Sequence, residues 1–152
     1  MEVSVDLIKK LREKTGAGIA DCRKALEEAK GDEKGAEELL RSWGIDKAAS
    51  KADREAGQGL VETYIHSGGR VGAMVEINCE TDFVARTDEF KVLAHEIAMQ
   101  VSAMDPKDVK ELLEQEYIRD ASKKIGDLVK EAIAKLGENI VIKRFMRFEL
   151  GQ

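Results

Sequence analysis

Two carboxylates, Glu80 and Asp82, stand on either side of Thr81 in the run Cys79-Glu80-Thr81-Asp82-Phe83-Val84-Ala85-Arg86-Thr87-Asp88. On an extended segment they would point to the same side, which is the raw material of acid–base work. That work also needs a cleft and a partner that shifts one of the two pKa values, and no acid, base or nucleophile constellation accompanies the pair. A solvated acidic loop carrying an aromatic is the reading that survives. The run joins an alternating strand to a helix, and such joints lie at the surface. Phe83 is therefore either a lid on the local core or a probe for a partner, and residue types alone leave both open.

The other chemical candidates are weaker. His95-Glu96-Ile97-Ala98-Met99 begins like a zinc-binding His-Glu-x-x-His but has Met99 where the second histidine must stand. His66 falls at a hairpin end, where a solvated turn residue is expected. Cys22 and Cys79 are separated by 56 intervening residues without a Cys-x-x-Cys pair, so they read as small apolar core residues in a reducing compartment. Gly57-Gln58-Gly59 lacks the following glycine and lysine of a phosphate-cradling loop and reads as a flexible joint. Neither a cofactor nor a metal is expected.

Composition narrows the class further. The 152 residues are 43% hydrophobic and 36% charged, with a net charge of -5, which suits a soluble chain with one ordinary domain or two small ones. Residues 1–54 carry 12 basic and 12 acidic side chains, against 13 and 18 in 55–152. The acidity sits in the second part, so Lys123-Lys124 and Lys143-Arg144 read as solvated faces, and no direct nucleic-acid partner is expected. Met1 to Asp6 shows no basic region followed by an apolar one, and no apolar stretch approaches a membrane span. A cytoplasmic protein without a membrane partner is the expectation.

The elements that must position Phe83 follow from periodicity. Ser4 can cap a first helix with Leu7, Ile8 and Leu11 on one face, broken by Thr15-Gly16-Ala17-Gly18. A second helix carries Ala20, Ala25, Leu26 and Ala29 and stops at Gly31. Asp32 caps a third with Ala36, Leu39, Leu40 and Trp43, which Gly44 should close, leaving 45–57 as a charged helical connector. Residues 1–54 thus form a small bundle and connector. From 55 to 152 the pattern predicts an α+β core. A hairpin over 60–66 and 71–79 turns at Ser67-Gly68-Gly69-Arg70. Asp88 caps a helix striped by Leu93, Ala94, Ile97, Ala98 and Val101, Asp105-Pro106 starts a short one, and 121–136 forms another, stopped by Gly137. A last strand, Ile140 to Leu150, would join the hairpin in a three-stranded antiparallel sheet with helices on one face. Strict alternation puts Ile140, Ile142, Arg144, Met146 and Phe148 on one face of it and Val141, Lys143, Phe145 and Arg147 on the other. The side not covered by helices would be left with an apolar strip.

Three separated stretches resemble one family in the same order along the chain. The Thr81-Asp82-Phe83-Val84 motif, the opening Leu11-Arg12-Glu13-Lys14-Thr15-Gly16-Ala17-Gly18-Ile19 with Asp21-Cys22-Arg23-Lys24-Ala25-Leu26, and the closing Gly137-Glu138-Asn139-Ile140 with Arg144-Phe145 are similar to elongation factor Ts. The bundle also resembles a ubiquitin-associated domain, with Thr15 to Gly18 in the place of that module's binding loop. The family resemblance implies a nucleotide exchange factor without covalent chemistry, binding elongation factor Tu and promoting release of its GDP. Thr81, Asp82, Phe83 and Val84 would displace the partner's Mg²⁺, with Phe83 as a wedge between helices and Asp82 holding the loop or the displaced helix. Arg12, Ile19 and Ala20 match family positions that contact the same partner from the bundle, Ile19-Ala20 standing where a methionine pair is often found. Between Met104 and Leu112 this chain is short where bacterial members carry a longer helical excursion. One half-core where longer members pack two sheet to sheet implies a homodimer through the core sheet. The rival from another class is a non-catalytic interaction module, which would share the bundle but give Asp82-Phe83 no task.

Overall fold

The computed structural model describes residues 3–152. Three helices come first: α1 (Val5–Thr15), α2 (Ile19–Glu28) and α3 (Glu33–Lys51). Ser4 caps α1 through the Leu7 amide at 3.2 Å, and Asp32 caps α3 through that of Gly35 at 2.9 Å, each satisfying an amide that the first turn leaves without a partner. Leu11, Cys22, Ala25, Leu26 and Ala36 form their common core.

The expected stop at Gly44 does not occur, and α3 runs on to Lys51. Gly44 serves approach rather than termination: a Cβ at this position would lie 3.4 Å from that of Ala134, so the missing side chain lets α3 close on the later helix that carries Ala134. The connector is largely the second half of α3, and its Ala48 is buried in the second core.

That core is built on β1 (Gln58–Ile65), β2 (Val71–Cys79) and β5 (Val141–Glu149), antiparallel in the order β1-β2-β5. Helices α4 (Asp82–Ala85), α5 (Asp88–Met104), α6 (Val109–Glu114) and α7 (Ile125–Leu136) accompany it, giving the α+β class that the pattern predicts. Gly68 and Gly69 turn the β1–β2 hairpin at φ 91° and 69°, values open to glycine at no steric cost. Gly59 belongs to β1 rather than to a loose joint. Its φ is 142°, and a Cβ there would fall 2.0 Å from the Ile77 carbonyl oxygen, so the strand pairing itself requires glycine.

Three further differences have local causes. Asp105 does not open a helix; it ends α5 in the left-handed region at φ 46°, and α6 starts instead behind Asp108, whose carboxylate accepts from the Glu111 amide at 2.8 Å. Thr87, not Asp88, caps α5. Residues 121–124 are strand rather than helix: β4 (Asp120–Lys124) pairs with β3 (Glu116–Tyr117), and α7 begins at Ile125, where Asp127 accepts from the Lys124 amide at 2.9 Å.

The last strand departs from strict alternation. Ile142 pairs with Ile77 and Arg144 with Glu76, so Lys143 is an extra residue in a bulge, and a single extra residue exchanges the faces of everything after it. Ile140 and Ile142 are buried before the bulge, and Phe145 packs on the core after it. Met146 and Phe148 point outward.

Candidate partner-binding site

Thr81 caps the single helical turn α4, and the turn sorts the residues of the motif by burial. Val84 packs against the core and Ala85 is buried within it, so these two anchor the turn. Phe83 is 76% exposed. That exposure rules out a lid on the local core, because a lid would have lost most of its surface to the core. Asp82 is solvated and pairs at 3.2 Å with Arg86, one turn on; a pair this open adds at most a few tenths of a kcal/mol, about 0.5. Glu80 does not share a side with Asp82, since the chain turns helical between them.

Glu80 instead joins a polar clasp. One oxygen of Glu138 accepts from the Glu80 amide at 3.2 Å and the Thr81 amide at 2.9 Å, while the other accepts from the Thr81 hydroxyl at 2.7 Å. In return the Glu80 carboxylate accepts from the Asn139 amide at 2.8 Å. The Thr81 hydroxyl oxygen then accepts from the Val84 amide at 3.3 Å and so caps α4. At the far end, Thr87 donates its hydroxyl to the Val84 carbonyl at 2.7 Å. The Asn139 side-chain amide donates to the Arg54 carbonyl at 2.8 Å and the Ala52 carbonyl at 3.4 Å, and Arg54 lies 3.5 Å from Glu80. The end of the connector, the Glu138-Asn139 peptide and the start of α4 are thereby held at one point.

Arg12, Ile19 and Ala20 sit elsewhere, on the first bundle. Arg12 is on α1, Ile19 and Ala20 open α2, and all three are exposed, Ile19 by 59%. The covalent connector and the Asn139 clasp link them to α4. Sequence reading assigns no role to Glu138 or Asn139, although both lie in the closing signature. A carboxylate directly after the Gly137 helix stop is the signal that could have drawn attention to them.

Neither thiol is suited to chemistry. Burial pushes the Cys79 thiol up, reinforced by the negative charge of Glu138, and burial likewise raises Cys22; a thiol kept protonated is a poor nucleophile. His95 sets its ring edge against Tyr64 at 5.6 Å, and Glu96 accepts from Tyr117 at 2.6 Å and Arg119 at 2.7 Å. Of the zinc-like pair, His95 thus packs on β1, and Glu96 helps to hold the β3–β4 hairpin on α5.

The uncovered face of the sheet is the second exposed apolar feature. Met146 lies across from Met74, and Phe148 and Ile65 flank Gly72 from the two sides. Val61, Ile65, Met74, Met146, Phe148 and Leu150 are each more than half exposed. Arg144 and Glu76, 2.8 Å apart, cross the face next to this strip.

Residues 80–152 match the family model described as Elongation factor TS. The chain is 47% identical to elongation factor Ts of Thermoanaerobacter sp. (strain X514) over 195 aligned positions, covering 99% of this chain and 96% of that protein. It is 46% identical to that of Thermotoga maritima, covering 100% and 98%, and 44% identical to that of Coprothermobacter proteolyticus, covering both chains fully. Alignments of 195 positions or more against a chain of 152 residues mean that these relatives carry residues this chain lacks. At this identity over its whole length, the chain belongs to the elongation factor Ts family of translation elongation factors.

Proposed function

We propose that this protein is a guanine nucleotide exchange factor, which binds elongation factor Tu carrying GDP in the cytoplasm and promotes GDP release without covalent chemistry. The observation that carries the reading is Phe83, 76% exposed on a turn that is clamped at both ends. An aromatic held rigid and bare suits insertion into a partner, because little ordering remains to be done on binding. In this reading Phe83 enters between helices of the partner's nucleotide domain, Asp82 holds the displaced segment by hydrogen bonding, and Thr81 and Val84 fix the turn beneath them. Displacement of Mg²⁺ leaves the nucleotide phosphates less compensated, so GDP departs faster. A factor that binds the nucleotide-free partner more tightly must by linkage weaken GDP binding by the same ratio. Arg12, Ile19 and Ala20 supply the second contact.

The sheet strip supports a two-fold homodimer through the core, since an apolar face of this breadth is stabilised by burial against a second copy. The test of the exchange reading is direct: catalytic amounts of the protein should accelerate loss of labelled GDP from elongation factor Tu. Binding without acceleration would instead favour a passive interaction module built on the bundle.

A further inference from the structure

We propose that Glu138 is a positioning residue for the Phe83 turn. The inference rests on the exchange reading above and adds to it a residue outside the Thr81–Val84 motif. The α4 helix is one turn long, too short to persist on local propensity. Its inner side is fixed by Val84 and Ala85, but the orientation of Phe83 depends on how the first peptide groups of the turn are held.

Glu138 holds them. An ionised carboxylate only accepts hydrogen bonds, so the Thr81 hydroxyl must direct its proton to Glu138 and its lone pair to the Val84 amide. The polarity of the chain from Val84 through Thr81 to Glu138 is thereby set, and with it the side-chain rotamer of Thr81. The same carboxylate takes the Glu80 and Thr81 amides, so three donors immediately before Phe83 converge on one side chain. The Asn139 amide returns a bond to Glu80 and keeps the Glu138 segment from swinging away. Without Glu138 those donors would turn to water and the turn would sample other orientations. Part of the binding energy of Phe83 would then go into ordering it.

A double-mutant cycle on the full chain tests the proposal, with GDP release from elongation factor Tu as the readout. Glu138→Ala should slow release roughly tenfold, the scale expected for loss of charge-assisted hydrogen bonds. Glu138→Gln keeps an acceptor for the two amides but offers N–H to Thr81 where the carboxylate accepted, so its rate should fall between wild type and Glu138→Ala. In a Phe83→Ala background, Glu138→Ala should change the rate less than about twofold, because a positioning residue has nothing left to position. Exchange of the Val84 amide with deuterium in the free protein should quicken in Glu138→Ala. Equal losses with and without Phe83 would overturn the proposal, since Glu138 would then act through something else. So would an unchanged rate in Glu138→Ala while the wild type accelerates release. If the wild type itself gives no acceleration, the exchange reading fails and the positioning role falls with it. Should Glu138→Ala not fold, the Gln variant in both backgrounds gives the same decision with a smaller loss.

Discussion

Two exposed apolar features of the α+β core contrast with one another. One is a single aromatic, Phe83, on a turn braced by Glu138 and Thr87. The other is a strip of aliphatic, methionine and phenylalanine side chains spread over three strands, with no polar clasp of its own. A narrow rigid projection suits a pocket in a different molecule, where one side chain can carry much of the affinity. A flat strip of repeated pairs suits its own copy, because a two-fold axis can set each residue against its equivalent or a neighbour. The difference lies in how backbone is fixed: strand pairing fixes the strip without help, while a lone turn needs side chains from elsewhere in the chain.

The largest expected effect breaks the first surface alone. Phe83→Ala should reduce GDP release roughly 30- to 1000-fold, the range of hot-spot truncations of about 2 to 4 kcal/mol. Because Phe83 buries little in the free protein, thermal melting should stay within a degree or two of wild type. A clear fall in melting temperature would make Phe83 a core residue and end the wedge reading.

Phe148→Glu should break the second surface while sparing the first. A charge placed in a buried apolar interface should weaken a dimer on the order of 100-fold. Light scattering after size exclusion at micromolar concentration should then report one chain, 16.8 kDa, where wild type gives twice that mass. Phe148 pairs with Gly72, seven residues along β2 from Cys79 and so roughly 23 Å from the start of the α4 loop. Exchange per protomer should therefore change by no more than about threefold. A wild-type mass of 16.8 kDa would show that two copies do not meet across the strip.

The bundle comes next in size. Removing residues 1–54 takes away Arg12, Ile19 and Ala20 and should weaken binding to elongation factor Tu roughly tenfold, as expected when one of two linked contacts is lost. The remaining core should still unfold cooperatively, at a lower temperature because Ala48 and the Gly44–Ala134 approach go with the bundle. Calorimetric titration gives the affinity, and an unchanged value would make the bundle a bystander.

Much of this architecture was legible in the sequence because it depends on local rules. Hairpin glycines, the Gly137 stop and the apolar stripes of α5 and α7 appear where periodicity predicts them. The failures are places where tertiary contact overrides a local signal. Gly44 looks like a helix end and is a packing site against Ala134. Alternation along β5 puts Ile140 and Ile142 on one face with Met146 and Phe148, and it misgroups them because one bulged residue, Lys143, cannot be seen in the pattern. The exposed strip was expected, but with different membership. The β3–β4 hairpin was missed because it is short and polar, and is held mainly by buried Gln100, which accepts from the Ile118 amide at 3.1 Å and donates to the Glu116 carbonyl at 3.0 Å. For the site, the motif itself was readable but the clasp was not, since Glu80 and Glu138 are 58 residues apart in the chain.

Tyr117 sharpens the contrast with Phe83, as an aromatic in the connection at the other end of α5 that is turned inward. Its hydroxyl donates to Glu96 at 2.6 Å, and its pKa is pushed up to about 12, first by burial and then by the bond to Glu96 and the charge of that carboxylate. The neutral phenol is thus favoured in the folded state over its ordinary value of 10.0, so its stabilising contribution is complete below pH 10 and is lost as pH rises from 10 towards 12. Tyr117→Phe should lower stability near neutral pH by about 1 to 2 kcal/mol, the cost of stranding a charged acceptor's bond, which is a few degrees in melting temperature. Above pH 10 the gap between wild type and variant should close, because the wild type gives up the same contribution on ionising. GDP release should stay within about twofold, since Tyr117 supports the hairpin and presents nothing to a partner. The two aromatics would then behave as opposites, Phe83 costing function without stability and Tyr117 stability without function. A gap that persists unchanged to pH 12 would mean that the phenol ionises equally in the folded and unfolded chains, and that the stability lost in Tyr117→Phe does not come from its bond to Glu96.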